Sequence, residues 1–182
     1  MELIVAVDRN GGIGKDGQLL YHLPEDMKRF RRLTMGKTLL MGRDTFLSLP
    51  GQRPLPGRVN CVLSHRAPEL RERFPAGADG PFFYGSVEEF LTAHTDDAVI
   101  VVGGESVYRQ LLPRCLRAHV TEIDAESDAD RHFFLDKNEW ICVRREPFRD
   151  DNLHICADFC IYERCVSSDR SPAKTVDIDI SP

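Results

Sequence analysis

Apolar residues along this chain collect into short strand-like runs at 2–8, 37–41, 59–63, 81–84, 98–102, 117–123, 140–146 and 154–162, each rich in Val, Ile, Leu or aromatic residues. Between the early runs the spacing changes to a helical period, clearest at 24–35, 87–93 and 105–112, with a shorter stretch at 43–49. Strand and helix alternate over the first two thirds, which predicts a parallel sheet covered by helices. The last two runs are joined by REPFRDDN with no helix between them, which predicts an antiparallel hairpin. The expected fold class is α/β: an eight-stranded mixed, mainly parallel central sheet, about four flanking helices and a C-terminal antiparallel hairpin.

The 24–35 helix carries the first candidate chemistry. Pro24 suits a first helical position, and Glu25 and Asp26 place negative charge at the positive end of the helix dipole. Leu23, Met27, Phe30 and Leu33 follow one another at spacings that make a single apolar stripe, with Asp26 at its edge. An acid beside an apolar stripe is either a solvated first-turn residue or a functional carboxylate, and its neighbours decide which.

At 182 residues and 42% hydrophobic content the chain is expected to form one globular unit. The start MELIVAVDRNGG lacks the features of a signal peptide and no run approaches a membrane span, so a cytoplasmic protein without a membrane partner is expected. A formal net charge of −5 argues against nucleic acid as a partner. Six cysteines (Cys61, Cys115, Cys142, Cys156, Cys160 and Cys165) show no C-x-x-C pair, so reduced thiols are the default. His154 and Cys160 would sit about 20 Å apart in extended chain, too far for one tetrahedral metal. No metal is expected. The stretch 165–182, rich in Ser, Asp and Pro, reads as a flexible polar tail after a domain spanning 1–164.

Two strands end in glycine directly before a helix, LLM-Gly42-RDTF and IVV-Gly103-Gly104-ESVY. Such junctions aim backbone N–H groups at one edge of a parallel sheet, where phosphates bind in open α/β folds. Neither junction carries a G-x-G-x-x-G or a P-loop lysine pattern, which argues against an ordinary Rossmann dehydrogenase and a kinase. Arg43 and Ser64-His65-Arg66 at neighbouring strand ends suit a ribose phosphate, favouring NADP over NAD. The loop GQRPLPGR is stiffened by Pro54 and Pro56 and delivers Arg58, whose guanidinium could hold a carboxylate. The glycine-rich stretch 8–19 has the composition of a mobile lid.

The segments IVAVDRNGGIGKDGQL, LPEDMKRF, LLMGRDTF, RPLPGR, VLS, VVGGESVY and HVTEIDAESDADRHF, in this order, resemble the dihydrofolate reductase family over nearly all of 1–164. The resemblance implies that family's fold and an NADPH-dependent reduction of dihydrofolate to tetrahydrofolate, with substrate and cofactor meeting in a cleft across the sheet. Asp26 would be the carboxylate that pairs with the pterin, supported by Thr121, with Tyr21 near the reacting rings. Ile4, Val5 and Val102 would wall the pterin, with Met27, Phe30, Leu49 and Leu55 around the ring and benzoyl group. Arg58, with Arg53 nearby, would take the glutamate carboxylate. On the cofactor side, Ala6, Ile13 and Gly14 would line the nicotinamide, with Gly17, Gln18 and Leu19 of the lid beside it. Gly103, Gly104, Glu105, Ser106, Val107 and Tyr108 would follow the pyrophosphate. Gly42, Arg43, Asp44 and Thr45, then Leu63, Ser64, His65 and Arg66, would hold the adenosine end. Antifolates of the diaminopyrimidine or diaminopteridine type are implied as ligands, and a monomer is expected.

Two departures from the family pattern stand out. Leu20-Tyr21 replaces the usual Pro-Trp, so a phenol stands for an indole, and it can still donate a hydrogen bond. Glu105 replaces a frequent third glycine and brings an acid toward the pyrophosphate. A reductase of the riboflavin pathway and a nucleotide-binding protein without turnover are the rivals. Asp26 in LPEDM and Arg58 in PLPGR speak against the first.

Overall fold

The computed structural model describes residues 1–94 and 98–165. Apart from Cys165, the stretch read as a polar tail lies outside the described residues. The main sheet contains β1 (Glu2–Val7), β4 (Thr38–Gly42), β5 (Val59–Leu63), β6 (Phe82–Tyr84), β7 (Val99–Gly103), β8 (Arg117–Ile123), β10 (Trp140–Asp150) and β11 (Ile155–Arg164). Their order is β10-β11-β8-β1-β7-β4-β5-β6. From β8 to β6 every neighbouring pair is parallel, whereas β11 runs antiparallel to both β8 and β10. The mixed, mainly parallel sheet of eight strands is therefore as the apolar pattern indicates.

Among the described residues five α-helices flank it: α1 (Pro24–Thr34), α2 (Arg43–Ser48), α3 (Ala67–Arg73), α4 (Val87–Ala93) and α5 (Glu105–Leu111). One is more than expected, because α3 was not read from the sequence. Its signals are present nonetheless: Pro68 in the first turn, and Ala67 and Leu70 buried on one side with Phe74 just beyond. The C-terminal antiparallel hairpin is present as expected, with longer strands. Most of REPFRDDN is strand rather than connection, since β10 runs on to Asp150 and only Asp151 and Asn152 fall in the turn. Pro147 is accommodated because β10 is the outermost strand, where proline is tolerated.

The stretch 8–19 is more ordered than a free lid. It contains β2 (Gly12–Lys15) and β3 (Gln18–Leu19), which form a second, antiparallel sheet with β9 (Arg131–His132). Asp8 holds both sides of this structure. Its Oδ1 accepts from the Gly12 and Asn10 N–H groups, and its Oδ2 from the Ser127 N–H and hydroxyl.

The two faces of the main sheet are buried separately. Leu3, Val5, Leu40, Val101 and Val120 pack under Phe90 of α4 and Val107, Tyr108 and Leu111 of α5. Ile4, Leu39, Met41, Val62 and Ile100 pack with Phe30 and Leu33 of α1, Phe46 of α2 and Leu70 of α3. Among the described residues no helix is long and apolar enough to cross a membrane.

Candidate active site

Asp26 sits in the first turn of α1, after Pro24, and points to the sheet rather than to solvent. The Thr121 hydroxyl, fully buried on β8, donates to Asp26 Oδ1 at 2.5 Å. Thr121 lies beside Ala6 in the parallel β1–β8 register, so the acid is held over the middle of the sheet. Burial raises its pKa above the ordinary value, and the Thr121 hydrogen bond and the nearby Arg29 charge oppose that rise without cancelling it.

The apolar stripe of α1 is not arranged as its spacing suggests. Leu23 is buried and Phe30 and Leu33 join the core, but Met27 is exposed and Arg29 turns inward in its place. The sheet face that α1 covers is apolar. Ile4, Phe30, Leu49, Leu55 and Val102 belong to one packed cluster, while Val5 turns to the opposite face. The Ile4 carbonyl accepts from the Tyr108 hydroxyl at 2.6 Å, and burial pushes that phenol far up. The Tyr21 ring packs with Leu23, Ile123 and Ala157, and its hydroxyl is buried with no hydrogen-bond partner.

The loop that carries Arg58 is shaped by Asn60, which is fully buried. Its Oδ1 accepts from the Leu55 N–H at 2.9 Å and its Nδ2 donates to the Leu55 and Arg58 carbonyls. Gly57 turns the chain at φ +70°. Arg58 is then buried against α1, with Nε donating to the Pro56 carbonyl at 3.1 Å and Nη1 to the Thr34 hydroxyl at 3.3 Å. Burial lowers its pKa and the Arg31 charge adds to that, so two cations meet at this corner. Arg53 is exposed on the same loop.

A cleft of ≈ 440 Å³ crosses the carboxyl edge of the sheet. Gly42 and Leu63 are register partners, as are Met41 and Gly103, so both glycine junctions open on one edge. Gly103 has φ +110°, and a Cβ there would lie 3.2 Å from the Tyr108 ring. Cβ atoms at Gly42 and Gly104 would meet Val107 at 3.1 Å and the Thr45 hydroxyl at 3.3 Å, so the backbone itself forms the surface. Ala6, Ile13, Gly14, Gly17, Gln18 and Leu19 line one side. Asp44, Thr45, Val102 and the turn from Gly103 to Ser106 line the other, with Tyr108.

Some expected cofactor residues lie elsewhere. The Val107 side chain is buried in the core, and Leu63 packs against it. Arg43 pairs with Asp44, and Arg66 pairs with Glu69 on α3. Ser64 and His65 sit with Arg66 just past the end of β5, next to the Gly42 junction. Lys15, Ser48, Arg109 and Arg131 line the cleft although the sequence reading did not single them out. Arg109 had a readable signal, since it follows Glu105 by four residues and its Nη2 donates to that carboxylate at 2.8 Å. Glu105 thus has an ion-pair partner on its own helix.

A larger concavity of ≈ 770 Å³ lies across β8, β11 and β10 beside the 133–137 segment. Its acids are already engaged, because Arg145 bridges Glu122 and Asp158 and the Tyr162 hydroxyl donates to Glu122. The glycine-lined cleft is the better candidate.

The family model described as dihydrofolate reductase matches residues 1–164 of this chain. The type 3 dihydrofolate reductase of Salmonella typhimurium is 40% identical over 161 residues, covering 86% of this chain and 93% of that protein. The dihydrofolate reductase of Mycobacterium leprae is 44% identical over 124 residues, 67% of this chain and 71% of that one. Among solved structures, the Enterococcus faecalis dihydrofolate reductase complexed with NADP(H) and RAB-propyl superimposes with a TM-score of 0.77 at 34% identity. The superposition covers 91% of this chain and 96% of that one.

Proposed function

The chain belongs to the dihydrofolate reductase family, and from that membership we propose how its residues share the work of the reaction. It reduces 7,8-dihydrofolate to 5,6,7,8-tetrahydrofolate with NADPH, a step of tetrahydrofolate biosynthesis that supplies one-carbon metabolism. Bound NADPH supplies the hydride that reaches C6 of the pterin.

The residues present suit that cofactor. Bare backbone at Gly42, Gly103 and Gly104, with the Thr45 hydroxyl and the first-turn N–H groups of α2 and α5, offers donors that an anionic pyrophosphate can approach closely. Arg43, Ser64, His65 and Arg66 would hold the phosphorylated ribose end. Ala6, Ile13, Gly14 and the β2–β3 turn would cover the nicotinamide and keep water from it.

Asp26 would accept from N3 and the 2-amino group of the pterin, and Thr121 fixes the acid's direction. An ionised Asp26 favours the protonated ring, which orients it and polarises it for attack at C6. The N5 proton would come from water admitted as the 8–19 segment moves. Arg58 and its neighbour Arg31 would hold the glutamate carboxylates. Diaminopyrimidine and diaminopteridine antifolates would bind by the same pairing to Asp26.

The unit that acts would be residues 1–164, working as a monomer in the cytoplasm without a membrane or nucleic-acid partner. The net charge of −5 supports the last absence. The observation that carries the reading is Asp26 held by Thr121 on the face where Ile4, Phe30 and Leu49 make an apolar wall. In an NADPH-oxidation assay with dihydrofolate, Asp26→Asn should lose kcat by about 10²-fold or more while NADPH affinity stays close to the parent's.

A further inference from the structure

Arg29 is a basic side chain that lies off the apolar stripe read from the spacing of α1 and is buried all the same. It lies one turn beyond Asp26 on α1 and is only 6% exposed. Its Nη1 donates to the Thr121 hydroxyl at 3.2 Å and its Nη2 to the Cys160 carbonyl at 3.1 Å. The guanidinium carbon stands 4.7 Å from the centroid of the Phe159 ring. Helix α1 is therefore tied to β8 and β11 by the same fork that reaches the site's threonine.

Hydrogen-bond chemistry gives the arrangement a direction. A guanidinium has only donors, so the Thr121 oxygen must accept from Arg29. The single hydroxyl proton is then free to go to Asp26 Oδ1, where it is found. Protonating Asp26 on Oδ1 would set two protons on the one Thr121–Asp26 line, so the hydroxyl would have to turn away, and the buried cation beside it opposes the neutral acid as well. Resting on the assignment of Asp26 as the pterin-binding acid, we infer that Arg29 is a positioning residue of the site. It commits the Thr121 proton to one carboxylate oxygen, supplies the counter-charge to Asp26 and so leaves the remaining lone pairs for the substrate's N–H donors.

Other ionisable groups around the pair are few. Tyr108 of α5 feels the Asp26 charge, with its phenol driven up by burial. Cys160 of β11 and Glu146 of β10 act on Arg29 in the direction that keeps it charged, and Arg32 acts against that. Burial is the largest influence on Arg29 and favours its neutral form, but an arginine does not deprotonate in the working range of an enzyme. The charge therefore persists, while its effect on Asp26 depends on Arg29 alone among the cations that bear on that acid.

The test is the titration of the Asp26 carboxyl in the full chain without substrate, followed by NMR of ¹³C-labelled aspartate and assigned by the signal lost in Asp26→Asn. In Arg29→Gln the midpoint should move to higher pH, enough to cut the ionised fraction at a fixed pH on the acid limb by roughly tenfold. Arg29→Lys, which keeps the charge, should hold the midpoint near the parent's. The pH profile of kcat/KM for dihydrofolate should move with the midpoint in each variant. An Arg29→Gln protein whose Tm falls while its Asp26 midpoint stays in place would overturn the proposal, because Arg29 would then only tie the helix to the sheet. If Arg29→Gln does not fold, Arg29→Lys decides: a midpoint shifted upward although the cation is retained would overturn the counter-charge. A parent protein that fails to oxidise NADPH with dihydrofolate would overturn the site assignment, and Arg29's role with it, independently of the titration.

Discussion

Tyr21 shows how one residue can look functional in sequence and take another part in the fold. Its ring fills the apolar patch made by Leu23, Ile123 and Ala157, and its hydroxyl is sealed there without a partner. An unmet buried hydroxyl costs about 1–3 kcal/mol. Tyr21→Phe should therefore raise stability by about 1 kcal/mol, a Tm increase of about 2–4 °C, with kcat within about twofold of the parent. Thermal melts and steady-state assays on the variant check this, and a large loss of kcat would give the hydroxyl a part in the chemistry. Asp26 itself was legible because Pro24 and the first-turn acids mark the helix start. Its partner Thr121 is 95 residues away, so only the family resemblance pointed to it. Arg29 was not legible, since an arginine on an amphipathic helix reads as solvated, and only its spacing of three from Asp26 hints otherwise.

At the scale of elements, local patterns were readable and long-range pairings were not. The glycine junctions after β4 and β7 stood out because a strand, a glycine and a helix follow one another directly. The order of 8–19 did not, because β2 and β3 are short and their support comes from Ser127 and β9, more than a hundred residues on. Composition gave a lid, and tertiary hydrogen bonds gave it a frame. Asp8 is the centre of that frame, buried and accepting four hydrogen bonds from both segments. Asp8→Ala should cost about 2–4 kcal/mol. Hydrogen exchange should rise at 10–19 and 125–132 together while the central strands β1, β7 and β4 keep their protection. Exchange rising in only one of the two segments would contradict the shared frame.

For the whole molecule, carboxylates held by hydrogen bonds and ion pairs between distant segments set the response to acid. The His119 hydrogen bond holds the Glu2 carboxyl below its ordinary value of 4.5. Burial raises Glu122, but the Tyr162 and Arg145 hydrogen bonds outweigh it and leave the net shift downward. Asp8 behaves alike, with burial overcome by Ser127 and the backbone N–H groups, and ends below 3.8. Groups lowered on folding stabilise above their unfolded values and lose that contribution as pH falls through the folded ones. Tm should accordingly drop below about pH 4.5, and Glu122→Gln should lower the neutral plateau and flatten the acid limb. An acid limb unchanged in that variant would count against the Glu122 contacts with Arg145 and Tyr162. Asp26 has the opposite sign, since its raised value means that burying it costs stability at neutral pH and the cost fades on acidification. On the proposed reading, the molecule keeps this unfavourable acid because the reaction uses it. The most direct measurement is NADPH oxidation with dihydrofolate by the parent and by Asp26→Asn, beside NADPH binding to each. The parent should turn over and the variant should bind NADPH with turnover reduced about 10²-fold or more. Equal turnover by the two proteins at neutral pH would contradict the placement of the chemistry at Asp26.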